Sequence, residues 1–396
     1  MSGNLLIGQS GGPTAVINGS LVGAIDAALR HPEIDGIYGA LHGVEGLLQN
    51  RIVDLRRESR ATLDLVYRTP SAALGSCRFQ LQAQDIDRLV SILQRLDVRY
   101  FLYIGGNDSA DTSHRIAIRA SDLGYPLQVI GIPKTVDNDL MHTDHCPGYG
   151  SIARFVASVT RDAGRDTEAL PTVHPVKIIQ VMGRNSGWVA GASALAKKSD
   201  LDAPQLIYFP ELVFDRQKFL SDVRTVCDRI GYAIVVVCER VKDETGEVVG
   251  GGEALFIDAF GHPYHEGPAG YLCRLVDQQL GLRARYDKPG TAQRMAMSHV
   301  SETDLEEAYL LGKMAVDYAV AGESDKMVIL LREPGEIYRC STGLADLETI
   351  ANSERTLPAD YINAAGNFVT EAFLNYARPL IGGPLPDYGR LSKIPF

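Results

Sequence analysis

The sequence predicts an α/β fold built on mainly parallel sheets, and three observations predict it. Short apolar or β-branched runs alternate with stretches of helical periodicity along most of the chain, the pattern of parallel strands joined by right-handed crossovers. Several of these runs end in glycine turns or charged clusters, which places polar groups at the carboxyl ends of strands, where open α/β sheets bind ligands. Finally, 396 residues exceed what one ordinary core fills, so two or three domains are expected.

Taken in order, Asn4–Ile7 reads as a short buried strand and Gln9–Thr14 (QSGGPT) as a turn. Val16 to Leu29 then shows helical spacing through Val16, Leu21, Ile25 and Leu29. Such a turn can offer free backbone N–H groups to a phosphate at the helix N-terminus. It is neither a Walker pattern nor a complete dinucleotide fingerprint, and by itself it reads equally well as a plain structural turn. Ile34–Ala40 is the next strand, and Leu63–Phe79 reads as irregular, carrying Gly75-Ser76-Cys77-Arg78-Phe79. Asp85–Leu96 places Ile86, Leu89, Val90, Leu93 and Leu96 on one helical face. Arg99–Ile104 is a β-rich strand that ends in Gly105-Gly106-Asn107-Asp108-Ser109, again a glycine turn opening toward a helix.

Leu127–Ile130 is a buried strand running into Gly131-Ile132-Pro133-Lys134-Thr135-Val136-Asp137-Asn138-Asp139, and a helix over Ser151–Arg161 follows. Val176–Val181 is a strand ending in Met182-Gly183-Arg184, which introduces a helix with Trp188, expected in the core. Pro204–Phe209, a helix over Asp215–Ile230 and the strand Tyr232–Cys238, ending in Glu239, continue the alternation. Lys242–Gly267 breaks it with six glycines and predicts a hairpin or long loop. The basic stretch Arg285–Arg294 lies between helices at Tyr271–Leu280 and Asp304–Val320. From Arg378 onward, proline and glycine predict an extended tail packed on the body or on a partner subunit.

A hydrophobic content of 45% and a charged content of 22% are those of a soluble globular protein. No apolar run nears the ~20 residues of a spanning helix, and no secretion signal is read at the N-terminus, so a cytoplasmic location is expected, with no membrane partner. Cys77, Cys146, Cys227, Cys238, Cys273 and Cys340 are scattered without metal-ligand spacing and read as reduced thiols. His42, His145 and His299 likewise lack paired spacing and read as structural. A net charge of −10 argues against a nucleic-acid partner, which needs a positive surface field.

The chemistry concentrates in Gly131–Asp139. Two aspartates and a lysine within six residues of a strand's carboxyl end supply a base, a metal ligand and a cation, the three roles of phosphoryl transfer. A DND triplet alone would more often be a solvated turn. Here it is one of an ordered set: GGPT, GSCRF, GGNDS, PKTVDND, MGR, CER and GTAQR, spread from residue 11 to residue 294.

That set resembles the phosphofructokinase family over most of the chain, and in particular its pyrophosphate-dependent branch. The resemblance implies two doubly wound, mainly parallel-sheet domains with the active site in the cleft between them. Residues 1–148 and 291–345 would form the donor domain, and 149–290 and 346–396 the sugar-phosphate domain. It implies Mg²⁺-dependent, reversible transfer of a phosphoryl group from pyrophosphate to the 1-hydroxyl of fructose 6-phosphate. Asp137 matches the general base. Asp108 and Lys134 stand where ATP-using members typically have glycine. A carboxylate at 108 would repel an α-phosphate and fill its space, and a cation at 134 would meet charge developing on the shorter donor. The tyrosine that packs on adenine in some ATP enzymes corresponds to Leu41.

By the same matching, Gly11 and Arg78 would hold pyrophosphate. Thr135, Val136 and Asp137 would contact the sugar, with Met182, Gly183, Arg184, Glu239, Thr291, Gln293 and Arg294 as further fructose 6-phosphate contacts. Asn107 and Asp139 would hold the metal, although the family's usual aspartate is Asn107 here, a neutral and weaker ligand. Arg285 matches an arginine that reaches the 6-phosphate from a neighbouring subunit, implying a homodimer or homotetramer. A second such arginine has no counterpart among His174, Pro175 and Lys177, and Thr291 replaces a histidine common in ATP enzymes.

Three other readings are weighed: an ATP-dependent enzyme of the same family, an NAD-dependent oxidoreductase, and a sugar-phosphate sensor without catalysis. For the oxidoreductase, Glu33 or Asp35 lies near the spacing of a ribose-binding acid, but it gives no reason for PKTVDND or MGR. A sensor would have no need of Asp137.

Overall fold

The structure, a computed structural model, describes residues 1–79, 81–252, 256–257, 263–264 and 267–392. Its strands in chain order are β1 (Gly3–Gln9), β2 (Ile34–Ala40), β3 (Ile52–Asp54), β4 (Val98–Gly105), β5 (Gln128–Pro133), β6 (Val176–Val181), β7 (Leu206–Tyr208), β8 (Ala233–Cys238), β9 (Phe256–Ile257), β10 (Pro263–Tyr264), β11 (Ala284–Asp287), β12 (Lys326–Arg332) and β13 (Cys340–Asp346). They form a seven-stranded sheet ordered β13-β12-β5-β4-β1-β2-β3, a four-stranded sheet ordered β11-β6-β8-β7 and the two-stranded pair β10-β9. The four-stranded sheet is all parallel. In the larger one only the outer pairs β2/β3 and β12/β13 are antiparallel, so the expected mainly parallel α/β architecture with two main sheets is what the chain forms.

Pleat alternation explains how the larger sheet is covered. Leu5, Ile7, Leu102, Ile104, Ile130 and Ile132 turn to one face and pack with Ile17, Leu21, Ile25, Leu311 and Ala315. Leu6, Phe101, Tyr103 and Val129 turn to the other and meet Leu89, Leu93, Ile116 and Ile350. Strands buried on both faces read as continuous apolar runs, as β8 does, fully buried from Ala233 to Cys238. The helices Ile17–Ala28 and Glu302–Val320 pack backbone to backbone: a Cβ at Gly23 would sit 2.1 Å from Tyr309 O, and one at Gly312 1.9 Å from Ser20 O. Glycine is required at both positions, and this contact ties residues 302–320 to the helix that follows β1, nearly the whole chain away.

In the larger sheet the chain leaves β1 for β2 on one side, and β4 and β5 follow on the other. The order therefore reverses between β1 and β4. A crevice opens at such a switch point, outside the carboxyl ends of the strands, which here carry Ser10–Gly12 and Gly106–Asn107.

Several expected elements change in the structure. Leu63–Phe79 is not wholly irregular: Arg60–Tyr67 is helical, capped by the Ser59 hydroxyl accepting from Thr62 N. The helix expected over 151–161 runs Tyr149–Ala169, because its polar last turns are held from outside, with Arg390 paired to Glu168 at 2.8 Å. The basic stretch from Arg285 begins as strand β11, where Lys177 from β6 neutralises Asp287 at 2.9 Å. β12 and β13 were not identified by the sequence reading. The glycine-rich stretch 242–267 contains the antiparallel pair β9/β10, while 253–255, 258–262 and 265–266 lie outside the described residues. The tail packs on its own body, Arg154 donating to Ile381 O at 2.7 Å and Gly383 O at 3.0 Å; residues 393–396 lie outside the described ones. Trp188 is core, at 2% exposure, and all six cysteines are free thiols. Among the described residues, no helix is long and apolar enough to cross a membrane.

One buried ion cluster fastens the loop after β5 to the rest. His145, 1% exposed, donates from Nδ1 to Asp144 at 2.8 Å and from Nε2 to Glu307 at 2.6 Å. Burial works against the imidazolium, but Glu307 and Asp144 outweigh it and hold the group up at about 9. A histidine raised in the folded state stabilises fully below its unfolded value near 6.5, and that contribution is lost as pH rises through about 9. The melting temperature is therefore expected to fall between pH 7 and 9.5. In His145→Gln it should be lower at pH 6, by the equivalent of about 3 kcal/mol, and flatter across that window. Thermal unfolding followed by circular dichroism checks both.

Candidate active site

The strand ends of both sheets face one cleft of about 280 Å³. Its floor is the turn leaving β5. Lys134 N donates to Gly105 O at 3.0 Å and Thr135 N to Pro147 O at 3.2 Å, which ties the turn to β4 and to the helix that follows. Asp137 N donates to Thr135 Oγ1 at 3.1 Å. Asn138 adopts a left-handed conformation at φ 57°, which asparagine tolerates better than most residues. Its side chain holds that shape by accepting from Cys146 N and donating to Tyr376 OH, each at 2.9 Å. The left-handed residue lets Asp137 and Asp139 on either side of it line the same cleft.

The turn after β1 supplies the opposite wall. Lys134 is 3% exposed, and its Nζ donates to Gly12 O at 2.9 Å. A Cβ built on Gly12 would lie 2.8 Å from Arg294 Nη1 and 3.8 Å from Arg78 Nη2, and one on Gly11 would lie 3.1 Å from Lys134 Nζ. Three cations from distant parts of the chain thus converge on a glycine pair that leaves room for an anion. Burial, with Arg294 and Arg78 alongside, pushes the Lys134 ammonium down to about 8. The turn after β4 adds the N-terminus of the helix Asn107–Asp122, whose free N–H groups and dipole favour negative charge. Asp108 in its first turn lines the cleft as an exposed carboxylate.

Acids and cations meet across the cleft. Burial pushes Asp137 up to about 6 against the pull of Arg184 and Lys134. Burial, then Asp137 and Glu354, push Asp139 up to about 7, and burial also raises Glu239. From the smaller sheet, Ser186 Oγ donates to Asp137 O at 2.9 Å. Gly183 sits at φ 119°, and a Cβ there would lie 2.6 Å from Ser186 O. The tight turn this permits presents Met182 and Arg184 to the cleft.

Of the residues singled out from sequence, Gly11, Arg78, Asn107, Asp108, Lys134, Thr135, Val136, Asp137, Asp139, Met182, Arg184, Glu239, Thr291 and Arg294 line this cleft. Gly183 shapes it from behind. Gln293 is buried, and its Oε1 accepts from Met182 N at 3.1 Å, so in this structure it supports the MGR turn rather than lining the cleft. Arg285 is exposed on edge strand β11 and does not line the cleft of its own chain. Neither Glu33 nor Asp35 lines it either, which leaves the ribose-binding reading without its acid.

Sequence reasoning missed Glu354 and Asn185, both lining the cleft and joined by Asn185 Nδ2 at 2.8 and 3.1 Å from the two carboxylate oxygens. Asn185 follows MGR and was within reach. Glu354 stands in no motif.

The donors fit a hard divalent cation. Asn107 Oδ1 is buried without a hydrogen-bond partner, and Asp139 lines the same cleft, while among the described residues no cysteine or histidine does. Oxygen-only ligation suits Mg²⁺ or Ca²⁺ rather than zinc or copper.

Comparison with known proteins agrees with this geometry. The sequence profile of the family described as Phosphofructokinase matches residues 4–319. The chain is 40% identical over 393 residues to the pyrophosphate–fructose 6-phosphate 1-phosphotransferase of Xanthomonas campestris pv. campestris, covering 97% of this chain and 93% of that one. It is 40% identical over 395 residues to the protein of the same description from Rhodospirillum rubrum, covering 98% and 96%. The crystal structure of pyrophosphate-dependent phosphofructokinase from Nitrosospira multiformis superposes with a TM-score of 0.89 at 37% identity, covering 100% of this chain and 98% of that one.

Proposed function

The chain belongs to the phosphofructokinase family, and from that premise we propose that it transfers a phosphoryl group reversibly between pyrophosphate and the 1-hydroxyl of fructose 6-phosphate. The observation that carries the reading is the convergence of Lys134, Arg78 and Arg294 on Gly11–Gly12, opposite Asp137 and Asp139. That arrangement suits a compact, highly charged donor. The near-identical overall lengths and 40% identity shared with proteins described as pyrophosphate-dependent favour this donor over ATP.

In this mechanism the glycine turn and the three cations bind and orient pyrophosphate. Arg184, Glu239, Met182 and Thr291 position the sugar phosphate, and Gln293 holds the MGR turn in place. Asp137 accepts the proton of the 1-hydroxyl; little nucleophile activation is needed because the transition state is loose. Lys134 stabilises charge on the transferring group and on the departing phosphate. Asn107 and Asp139 would hold Mg²⁺, which when bound supplies charge neutralisation across the phosphates. The larger sheet's segments, 1–148 and 291–345, would serve as the donor domain, and 149–290 and 346–396 as the sugar-phosphate domain. Exposed Arg285 is proposed to reach the 6-phosphate in a neighbouring active site of a homodimer or homotetramer, and the cytoplasm is the proposed location.

Incubation of the purified protein with fructose 6-phosphate, Mg²⁺ and either donor tests the assignment. Fructose 1,6-bisphosphate should form with pyrophosphate, and formation with ATP alone would refute it. The pH profile follows from the same residues. Asp137 must be ionised, so kcat/KM is expected to fall as pH drops below about 6. Lys134 must stay protonated, so it should fall again as pH rises above about 8. A profile from pH 5 to 9.5 checks the bell shape.

A further inference from the structure

The residue that holds the two aspartates in place lies in none of the motifs. We propose that Arg355 is a positioning residue for the phosphoryl transfer, acting through the Asp137–Asp139 turn; this rests on the function proposed above. Arg355 lies past β13. Its Nε and Nη2 donate to Asn138 O at 3.2 and 2.9 Å, and its Nη1 donates to Thr143 O and Asp144 O, each at 2.7 Å. Its own amide donates to Asp139 O at 2.7 Å. One residue therefore satisfies four carbonyls of the loop that carries both carboxylates.

The geometry makes arginine specifically necessary. Asn138 O belongs to the left-handed residue between the two aspartates, and two N–H groups land on that one oxygen. Rotation of the Asn138–Asp139 peptide would break both bonds, while the bond from the Arg355 amide to Asp139 O holds the next peptide, so the two peptides flanking the Asp139 Cα are both pinned. A planar fork can serve three carbonyls at once, whereas a lysine ammonium is a single point on a flexible stem.

The other side of Arg355 faces the sugar-phosphate half. Its guanidinium carbon lies 4.6 Å from the Trp188 ring centroid, and Trp188 Nε1 donates to Arg355 O at 3.2 Å. Two residues on, Leu357 N donates to Glu211 Oε1 at 2.7 Å, and the same oxygen accepts from Gly187 N at 2.8 Å. The segment is thus pinned to the helix that follows the MGR turn. Residue 355 clamps the turn bearing the base to the wall that positions the acceptor.

Arg355→Lys tests the clamp by two independent readouts. Turnover with pyrophosphate should fall about 100-fold, the scale of a small misplacement of reacting groups, while KM for fructose 6-phosphate stays within about 3-fold. In hydrogen exchange, amides of 136–147 should exchange at least about 10-fold faster while β1 and β4 remain protected. In Arg355→Ala, added guanidinium should recover part of kcat. Wild-type exchange over 136–147 would overturn the clamp whatever the turnover shows, and so would a loosening spread evenly through both sheets. Loss of activity that appears only as a raised sugar KM would overturn the positioning role. If the unmodified protein turns over neither donor, the phosphotransferase reading fails, and exchange still decides the clamp.

Discussion

Replacing Asp137 with alanine is expected to lower kcat by about 10³-fold, within the range a positioned general base contributes, while fructose 6-phosphate still binds. The carboxylate lines the same cleft as Arg184 and Lys134, and both cations pull on it. Burial nonetheless raises it to about 6, close to the value a base working near neutral pH requires. The proposed sugar contacts from Met182, Arg184 and Glu239 lie on other segments of the cleft lining, so binding measured by calorimetry should survive. Stability should move the other way. A carboxylate raised on folding stabilises below its unfolded value, and that contribution is lost as pH rises through about 6. At neutral pH the ionised group is therefore a liability, and Asp137→Asn should melt higher than the parent while losing activity. Retained turnover in Asp137→Ala would sink the role of Asp137 as the base.

The second large effect concerns the donor. In Asp108→Gly combined with Lys134→Gly, kcat/KM with pyrophosphate is expected to drop by about 10²- to 10³-fold, the scale for removing one transition-state donor, and ATP binding should emerge. Lys134 is buried, with its ammonium beside Gly12 O, Arg294 and Arg78. Removing it takes away a cation that cannot be replaced by solvent. Asp108 stands in the first turn of the helix after β4 and borders the same cleft, so its loss removes both a repelling charge and volume from the path of a longer donor. Lys134→Met keeps the bulk without the charge and should lose pyrophosphate use with no gain in ATP binding. Titration with ATP and steady-state kinetics with both donors decide the matter; unchanged pyrophosphate use together with no ATP binding in the double variant would defeat the argument.

Much of the site was legible because strand-end motifs carry their chemistry locally. GGPT, GGNDS and PKTVDND each follow an apolar run, and a parallel sheet brings successive carboxyl ends to one edge. Gln293 looked like a ligand because it sits in GTAQR, but whether its amide lines the cleft or bonds Met182 N is settled by how two turns pack. Helix Arg60–Tyr67 escaped because it is only eight residues long and its stripe of Leu63, Val66 and Tyr67 is fully buried at Leu63 alone. Strand β11 escaped because its outward charges hide a pairing made with β6, more than 100 residues earlier.

By itself the sequence determined the parallel α/β order, the turns at the strand ends, and the residue types those turns offer, since periodicity and motif spacing are local properties of the chain. Only the tertiary structure decided that Lys134, Arg78 and Arg294 gather on one glycine pair, that Glu354 borders the cleft, and that Arg355 grips the turn between the two aspartates. Those contacts join segments as far apart as Gly12 and Arg294, and no local pattern encodes them. They exist because two sheets and the segment that follows β13 pack into one body, with buried charges and carbonyls forced to find partners wherever the packing supplies them.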